Sequence, residues 1–574
     1  MRGPTTPEPT LRVRWLGRVA YGDALALQRA LFANRQHEYL LLMEHQHVVT
    51  TTKRTPPTHL LADIAAFGAD LIETDRGGDV TYHGPGQLVA YPIVEVPGQR
   101  GGGMADTAAY VATLEQILID CLGDVGVVGQ RLRGCHGVWV DTGAAEPAKI
   151  AAIGARISRG RAMHGVALNV NPDLAWFERI VPCGIADKGV TSLAELGISV
   201  SMPEIVEVFT EKALQVFAKH KSVDHASVGF KATRGNHRTD QGPYLPPETY
   251  VSQAEGTSLR LLGRLAQAGV ADQAPLPVRS RKPEWLRVKF DPGNEYRRVK
   301  STLRDLKLVT VCEEAACPNI SECWNDGTAT FMILGERCTR ACGFCLVDTR
   351  APLPPDPSES QRVAQAVESM ALRHAVVTMV ARDDLDDGGA AAVADVVQAI
   401  RARVPQCQIE TLVSDFKGCL AALSRVFDAR PDVFNHNIET VARLQRAVRP
   451  SASYARSLAV LAHAKAAGLT TKSSVIVGMG ERDDEVRQTL VDLAAIGVDI
   501  VTIGQYLRPS VRHLPVAQWW QPKDFDDWKR FGERHGIGHV ESSPLTRSSY
   551  HARQAAEQLR PNSSGRSEIA LAHV

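Results

Sequence analysis

Short apolar runs alternate along the chain with stretches whose apolar positions recur every three to four residues. In the first half the runs predict strands over 39–43, 87–94, 137–140 and 149–153, and the helical spacing predicts a helix over 106–122. Strands and helices mixed in this way read as an α+β domain. Beyond about position 280 the alternation becomes regular. Strand patterns at 374–380, 408–413, 433–437, 471–477 and 499–503 are separated by amphipathic stretches such as 390–404 and 483–495. Repeated βα units imply a parallel sheet, here an α/β domain closing wholly or partly into a TIM-type barrel. Arg382, Asp383 and Asp384, then Asn435, His436 and Asn437, then Gly504, Gln505 and Tyr506 follow those strands, where such barrels keep their active sites.

Between the halves the pattern breaks. Residues 236–247 are polar and interrupted by Gly and Pro, which reads as a linker over 223–279 with one helical piece at 258–268. The expected domains are therefore 11–222 and 280–553, followed by a disordered tail over 554–574. A chain of 574 residues exceeds one hydrophobic core and suits two. No apolar run approaches the ~18 residues of a membrane span. The first ten residues lack the apolar core of a secretory signal, so a cytoplasmic protein is expected. A formal net charge of +1 gives no reason to expect nucleic acid or an anionic membrane as partner.

Six of the eleven cysteines lie between positions 312 and 345, where even spacing would place fewer than one. Dense cysteines in a large chain without a secretory signal point to metal rather than to disulfides. Cys338, Cys342 and Cys345 put three thiolates on one tight loop. Three ligands hold three irons of a 4Fe–4S cluster and leave the fourth open to chelate S-adenosylmethionine, the arrangement of radical S-adenosylmethionine enzymes. A structural zinc site is the competing reading, but it wants four ligands in paired spacing.

A second triad, Cys312, Cys317 and Cys323, lies just upstream. Its surroundings, residues 311–324 and 327–335, resemble lipoyl synthase. So do 281–286, 382–385, 435–437, 471–473, 502–507 and 547–550, so the likeness spans nearly all of the second domain. The resemblance implies two 4Fe–4S clusters, the second completed by a serine of the Arg-Ser-Ser-Tyr motif, Ser549 first and Ser548 second. A serine oxygen matches iron–sulfur chemistry less well than a thiolate and suits a ligand that must let go. It also implies radical insertion of two sulfurs at carbons 6 and 8 of an octanoyl chain, with an electron donor such as ferredoxin or flavodoxin. A two-cluster electron carrier is the alternative, although such proteins usually spend four cysteines on each cluster. Met379 and Ala381 stand where the family would have a serine and an acidic residue, and Ser414 stands near an expected proline.

The first half carries a glycine-rich loop, Arg76, Gly77, Gly78, Asp79, Val80, Thr81, Tyr82 and His83. By itself it marks a close backbone approach or simply a tight hairpin. Cys183, between Pro182 and Gly184, is a candidate nucleophile, although a lone cysteine is more commonly a buried apolar side chain. Lys149 opens a strand pattern, and an ammonium near a thiol favours the thiolate that acyl transfer needs. Together these motifs resemble the octanoyltransferase family, over roughly 11–215. The resemblance implies the fold of biotin and lipoate protein ligases, with Cys183 as acyl-bearing nucleophile and Lys149 as its activator. It implies substrate contacts at 76–83, at Ala152, Ile153 and Gly154, and at Gly165, Val166 and Ala167. The implied partners are octanoyl-acyl carrier protein as donor, and the lipoyl domains of 2-oxoacid dehydrogenases and the glycine cleavage H protein as acceptors. Gln46, His47 and Ala148 depart from the family pattern. A non-catalytic dock for acylated lipoyl domains is the alternative for this half. His83 and His164 read equally well as acyl-site lining or as structural hydrogen-bond partners, and Cys121, Cys135, Cys407 and Cys419 as structural.

Overall fold

The computed structural model describes residues 10–98, 104–219, 221–226, 259–270, 276, 281–287, 293–306, 308–310, 313, 317–325 and 328–558. The chain divides into two compact units, Met1–Pro243 with Tyr454–Ala459, and Tyr244–Ser453 with Val460–Val574; helix Tyr454–Ala466, which straddles them, is described with the second.

Eleven strands build the first unit: β1 (Thr10–Val19), β2 (Glu38–His45), β3 (Val48–Thr51), β4 (Asp70–Glu73), β5 (Thr81–His83), β6 (Gln87–Ile93), β7 (Gln130–Leu132), β8 (Cys135–Val140), β9 (Ala148–Ser158), β10 (Arg161–Asn169) and β11 (Ser222–Ala226). Eight form one sheet in the order β11-β1-β2-β6-β10-β9-β8-β7, and β4-β3-β5 form a second, smaller sheet. The expected strands at 39–43, 87–94, 137–140 and 149–153 correspond to β2, β6, β8 and β9. The centre of the large sheet is apolar on both faces: Leu40, Leu42, Leu88, Ala90 and Leu168 lie on one, and Leu41, Met43 and Val89 are buried on the other. Helix Thr107–Asp124, capped by the Asp106 carboxylate on Ala109 N, supplies Leu114, Ile117 and Leu118 to that core. Helix Met202–Phe217, opened by a Ser201–Glu204 capping box, adds Ile205 and Phe209. The small sheet has its own core, in which Val49, Val80 and Tyr82 pack on Trp176, Phe177 and Ile180.

The second unit holds β12 (Val309–Thr310), β13 (Thr328–Ile333), β14 (His374–Met379), β15 (Gln408–Leu412), β16 (Val433–Asn435), β17 (Thr470–Val477), β18 (Ile500–Gln505) and β19 (His539–Ser542). They lie side by side in chain order. Every pair from β13 to β19 is parallel, and only β12 runs antiparallel to its neighbour. Helices Glu359–Ser369, Ala390–Arg403, Leu420–Asp428, Tyr454–Ala466, Asp483–Ala495 and Pro522–Arg534 make the crossovers. A sheet wound in this order is the partial barrel expected from the βα repeats.

Two elements fall inside the stretch expected as a linker. β11 joins the first sheet beside β1, pairing Thr10 with Ser222, and helix Leu259–Gln267 buries Leu261, Leu262 and Leu265. Helix Ala552–Gln558 continues past the expected domain end at 553, because Ala555 and Ala556 pack against Val433 and Ile500; the remainder of the expected tail, 559–574, lies outside the described residues. No helix among the described residues is long and apolar enough to cross a membrane.

Candidate active sites

In the first unit three expected segments converge. The Gly77 amide donates to Ala155 O at 3.0 Å, so the glycine-rich loop lies along β9. Ala152, Ile153 and Gly154 on β9 face Ala167, Val166 and Gly165 on β10 as direct cross-strand partners. Arg76 is fixed at the start of this bed, its guanidinium donating to Thr50 O at 2.8 Å and to Thr50 Oγ1. Burial lowers the Arg76 pKa, while Tyr21, Cys183, Tyr91 and Asp79 act against that shift.

Cys183 stands in the left-handed region, at φ 57° and ψ 20°, within the turn Pro182–Gly184. A non-glycine residue there is strained by roughly 1–3 kcal/mol and is held by its surroundings. The hold is visible: the Cys183 amide donates to Val80 O at 2.8 Å, tying the turn to the glycine-rich loop. Asp79 precedes that carbonyl and accepts from Val80 N on one oxygen, while its other oxygen meets His59 Nδ1 at 2.6 Å. Lys149 is buried, and its ammonium lies 4.8 Å from the centre of the Trp139 ring. A bulge between β8 and β9 opposite this position sets its direction. No hydrogen bond joins Lys149 to Cys183 among the described residues.

Behind the loop is a buried cluster of rings. His83 Nδ1 meets Gln87 Oε1 at 2.7 Å, and His164 Nε2 meets Asp75 Oδ1 at 3.1 Å. Tyr21, His45 and Tyr91 complete the group, with His45 Nε2 2.8 Å from Tyr91 Oη. Burial pushes the His83 pKa down to about 3 and that of His45 to about 4, so both imidazoles are neutral near pH 7. Sequence reading passed over His59, Asp75, His45, Tyr21 and Tyr91. They are scattered, and only the fold gathers them.

In the second unit, Cys338, Cys342 and Cys345 occupy the loop that follows β13. The Cys338 amide donates to Asp348 O at 2.8 Å, Cys345 N donates to Cys342 O at 3.2 Å, and Gly343 N donates to Val448 O at 2.8 Å. Burial raises the Cys342 and Cys345 thiols, the latter to about 12, and both are raised further by charge on their companions in the triad. Among the described residues no three side chains converge on a single ion position. A 4Fe–4S cluster asks for something else, one thiolate per iron around its rim, and three half-buried cysteines on one short loop fit that demand.

The loop is anchored by its neighbours. Arg340 forks onto Asp383, with both contacts at 2.8 Å, and reaches Asp415 at 2.6 Å. Thr339 donates through its amide (3.0 Å) and its hydroxyl (2.9 Å) to Ala381 O. The main chain thus secures the loop at a position where the family pattern has an acidic side chain. Arg382 turns away to Asp384 and Leu334 O, and His436 Nδ1 meets Val413 O at 2.9 Å.

Of the second triad, Cys317 and Cys323 flank the start of helix Ile320–Asn325, and Cys312 lies outside the described residues. The segment carrying Ser548 and Ser549 approaches them from the far end of the chain. Asn319 Nδ2 donates to Leu545 O at 2.8 Å, Arg547 moderates the burial-raised pKa of Cys317, and Tyr550 Oη donates to Glu322 at 3.1 Å. Gly504 permits this crossing, since a Cβ there would stand 1.9 Å from Thr546 O.

Comparison with known proteins gives each half of the chain a family. Residues 20–214 match the lipoyl protein ligase A/B catalytic domain, 230–317 the N-terminal domain of lipoyl synthase, and 332–493 the radical SAM superfamily. The lipoyl synthase of Rubrobacter xylanophilus is 54% identical over 286 residues, covering 50% of this chain and 89% of that one. That of Mycobacterium ulcerans is 51% identical over 324 residues, covering 56% and 98%. A bipartite lipoate protein ligase from Thermoplasma acidophilum covers 39% of this chain and 89% of its own at 16% identity and a TM-score of 0.32, too slight a likeness for residue-level comparison. The chain belongs to the lipoyl synthase family, and it joins that radical S-adenosylmethionine enzyme to an amino-terminal domain of the lipoyl protein ligase A/B type in one bifunctional enzyme of lipoate biosynthesis.

Proposed function

We propose that the first unit transfers an octanoyl group from acyl carrier protein to a lysine of lipoyl domains through a thioester on Cys183, and that the second inserts sulfur at carbons 6 and 8 of the chain so delivered. The observation that carries the first step is the seating of Cys183: a half-buried sulfur on a strained turn, hydrogen-bonded into the glycine-rich loop. Such a sulfur is accessible to a thioester carbonyl and has little freedom to turn away. The acyl chain lies along the bed formed by 76–83, 152–154 and 165–167. Lys149, on the same strand as Ala152–Gly154, supplies a buried positive charge that favours thiolate and oxyanion.

In the second unit Cys338, Cys342 and Cys345 would hold one 4Fe–4S cluster, and Cys312, Cys317, Cys323 and Ser549 the other. Bound there, the clusters and S-adenosylmethionine supply the electron, the radical and the sulfur that unactivated C–H bonds require. The chain's own work is positioning. Arg340, clamped by Asp383 and Asp415, holds the first loop against β14 and β15. The 545–550 segment, which contacts Asn319 and Glu322 through Leu545 and Tyr550, would present the serines toward Cys317 and Cys323. The acceptors are the lipoyl domains of 2-oxoacid dehydrogenases and the glycine cleavage H protein, a ferredoxin or flavodoxin supplies electrons, and the setting is the cytoplasm.

Reciprocal variants test the reading. The anaerobically reconstituted chain receives octanoyl-carrier protein, apo lipoyl domain, S-adenosylmethionine and a reductant, and mass spectrometry follows the target lysine. Cys183→Ala loses octanoylation by 10³-fold or more but still adds two sulfurs to a pre-octanoylated domain, whereas Cys342→Ala does the reverse. Octanoylation that survives Cys183→Ala would make the first unit a dock.

A further inference from the structure

Part of the stretch expected to be a linker is built into the radical site. Its described residues between the two units are 259–270 and Leu276, and they meet three loops of the second unit, those that follow β13, β17 and β18. Helix Leu259–Gln267 buries Leu261, Leu262 and Leu265. At 9 residues it is too short to hold its shape alone in water, so the loops it covers keep it folded. At Gly343, between Cys342 and Cys345, a Cβ would stand 3.2 Å from Leu261 Cδ1 and 2.8 Å from Leu514 Cδ1. The same glycine donates its amide to Val448 O at 2.8 Å and accepts from Leu514 N at 2.9 Å, so main chain and leucines together enclose the cysteine loop at its middle. Past the helix, the Arg443 guanidinium donates to Ala268 O and, at 2.7 Å, to Gly480 O, while contacts of 2.7 and 2.8 Å bind it to Glu485. Val270 fills the space at Gly480, where a Cβ would stand 2.7 Å from its Cγ1. Leu276 N donates to Val516 O at 3.0 Å, and the next residue of that loop, Ala517, donates its amide to Gly478 O at 2.8 Å.

We infer that 259–270 and Leu276 form a positioning arm of the radical site, which sets the cysteine loop against the 478–481 loop, with Leu261 and Arg443 as its two holds. The inference rests on Cys338, Cys342 and Cys345 holding the cluster. All three loops follow the C-terminal ends of parallel strands, the rim at which such barrels do their chemistry. The two holds differ in kind. At Leu261 it is apolar and fits a residue without a side chain at position 343. At Arg443 it is polar: the planar fork serves one carboxylate and two carbonyls at once, which a lysine ammonium cannot do. With Glu485 balancing its charge in a buried place, the guanidinium is a rigid strut between Ala268 and Gly480. Reaction at a fixed site tolerates little play, since a misplacement of about 1 Å costs about 10²-fold in rate. The arm acts through the loops it seats, so Leu261, Val270 and Arg443 are positioning residues. The chain that joins the units is thereby also part of the second site.

The test uses the full chain, with Arg443→Lys, Leu261→Ala, Gly343→Ala and the last two combined. Arg443→Lys keeps the charge beside Glu485 but releases Ala268 and Gly480. In the cluster-free chain it should raise amide exchange over 259–270 and 478–481 by about tenfold. In the anaerobically reconstituted chain, the readout is the change that S-adenosylmethionine makes in the reduced cluster's electron paramagnetic resonance signal, taken per iron bound. Arg443→Lys and Gly343→Ala should each weaken that change by about threefold or more, the second because its methyl crowds Leu261 and Leu514. Leu261→Ala added to Gly343→Ala should restore part of the loss, since the shorter side chain makes room. A response to S-adenosylmethionine left whole by Arg443→Lys and Gly343→Ala, whether or not exchange rises, would overturn the inference. So would losses that simply add in the double variant, since the arm would then be scaffold with no fit to the cysteine loop. A signal that S-adenosylmethionine does not change in the unaltered chain would remove the reading of the cysteine loop itself, and this inference with it.

Discussion

The polar clusters buried behind the two candidate sites differ in kind. Behind the acyl site the first unit gathers Tyr21, His45, His83, Tyr91 and His164, uncharged groups joined by hydrogen bonds and ring contacts. The second unit buries ions. Lys472 on β17 and Glu410 on β15, both with wholly inaccessible side chains, meet at 2.9 Å, and Asn435 on the intervening β16 donates to the other Glu410 oxygen at 2.8 Å. Arg443 and Glu485 form a second buried pair at 2.7 Å. Uncharged polar groups enter an interior at modest cost once hydrogen-bonded, whereas ions enter only when fully paired. The first arrangement leaves a wall that an apolar chain can lie against. The second locks three neighbouring strands in register behind the loops that must hold charged cofactors. One interior should therefore be sensitive to pH and the other to mutation.

The sharpest break of the comparison is Lys472→Met. Glu410 is held low, with burial opposing and Lys472 and His374 outweighing it. Without the ammonium its charge is stranded, and the second unit should lose about 3–5 kcal/mol. Glu410→Gln added to Lys472→Met should recover much of that. Denaturant unfolding of the full chain, followed by a probe in each unit, checks both the size and the confinement to the second unit. A loss under about 1 kcal/mol would mean that the pair is solvated and the contrast false.

The pH response is of comparable size. An unfolded histidine titrates near 6.5, while burial holds folded His45 near 4, folded His83 near 3 and folded His164 below its ordinary value in spite of Asp75. Below pH 6.5 the unfolded chain therefore binds protons that the folded unit refuses. Stability is full above that pH and is lost as pH falls, by about 1.4 kcal/mol per unit for each such histidine. The second unit has one comparable group resolved, His436 near 4, lowered by burial and by Arg449. Its Glu410 contributes stability above the unfolded carboxylate value near 4.5, and that contribution is lost only as pH falls lower still. Between pH 6.5 and 4.5 the first unit should lose stability more steeply. Equal slopes would show that its rings are hydrated.

Much of this was legible in the residues, and what was not has a physical reason. Parallel strands buried on both faces tend to read as apolar runs, as 374–379 does, whereas 408–412 and 470–477 carry Glu410, Lys472, Ser473 and Ser474 and are legible through the repeating βα spacing around them. Cysteine spacing is local, so the Cys338 loop was visible too. β3 and β4 have four residues each, too few to show a period, and β11 owes its place to pairing with β1 more than 200 positions away. The His59–Asp79 contact joins two loops with no signal that they meet, and the seat of the Lys149 ammonium over Trp139 is likewise invisible in spacing. Side-chain direction at a bulge depends on the neighbouring strand, and no spacing rule encodes it.

The smallest expected effect contrasts how the Cys183 turn and the segment bearing Ser548 and Ser549 are held. The Cys183 turn is held by main-chain bonds to Val80 and His59, whereas the segment bearing Ser548 and Ser549 is seated partly by exposed side chains, Tyr550 on Glu322 at 3.1 and 3.2 Å with His551 3.4 Å from the same carboxylate. Exposed bonds of this kind are worth only about 0.5–1.5 kcal/mol. Tyr550→Phe should therefore leave global stability unchanged while raising amide exchange over 546–551 by up to about tenfold, and Glu322→Gln should raise it less. His59→Gln, by contrast, should leave exchange over 181–185 as it was, because that turn's bonds survive the change. If Tyr550→Phe leaves the exchange unaltered, the segment is seated by the part-buried Asn319 side-chain bond to Leu545 O and the buried alanine face of helix Ala552–Gln558, and neither segment depends on exposed side chains.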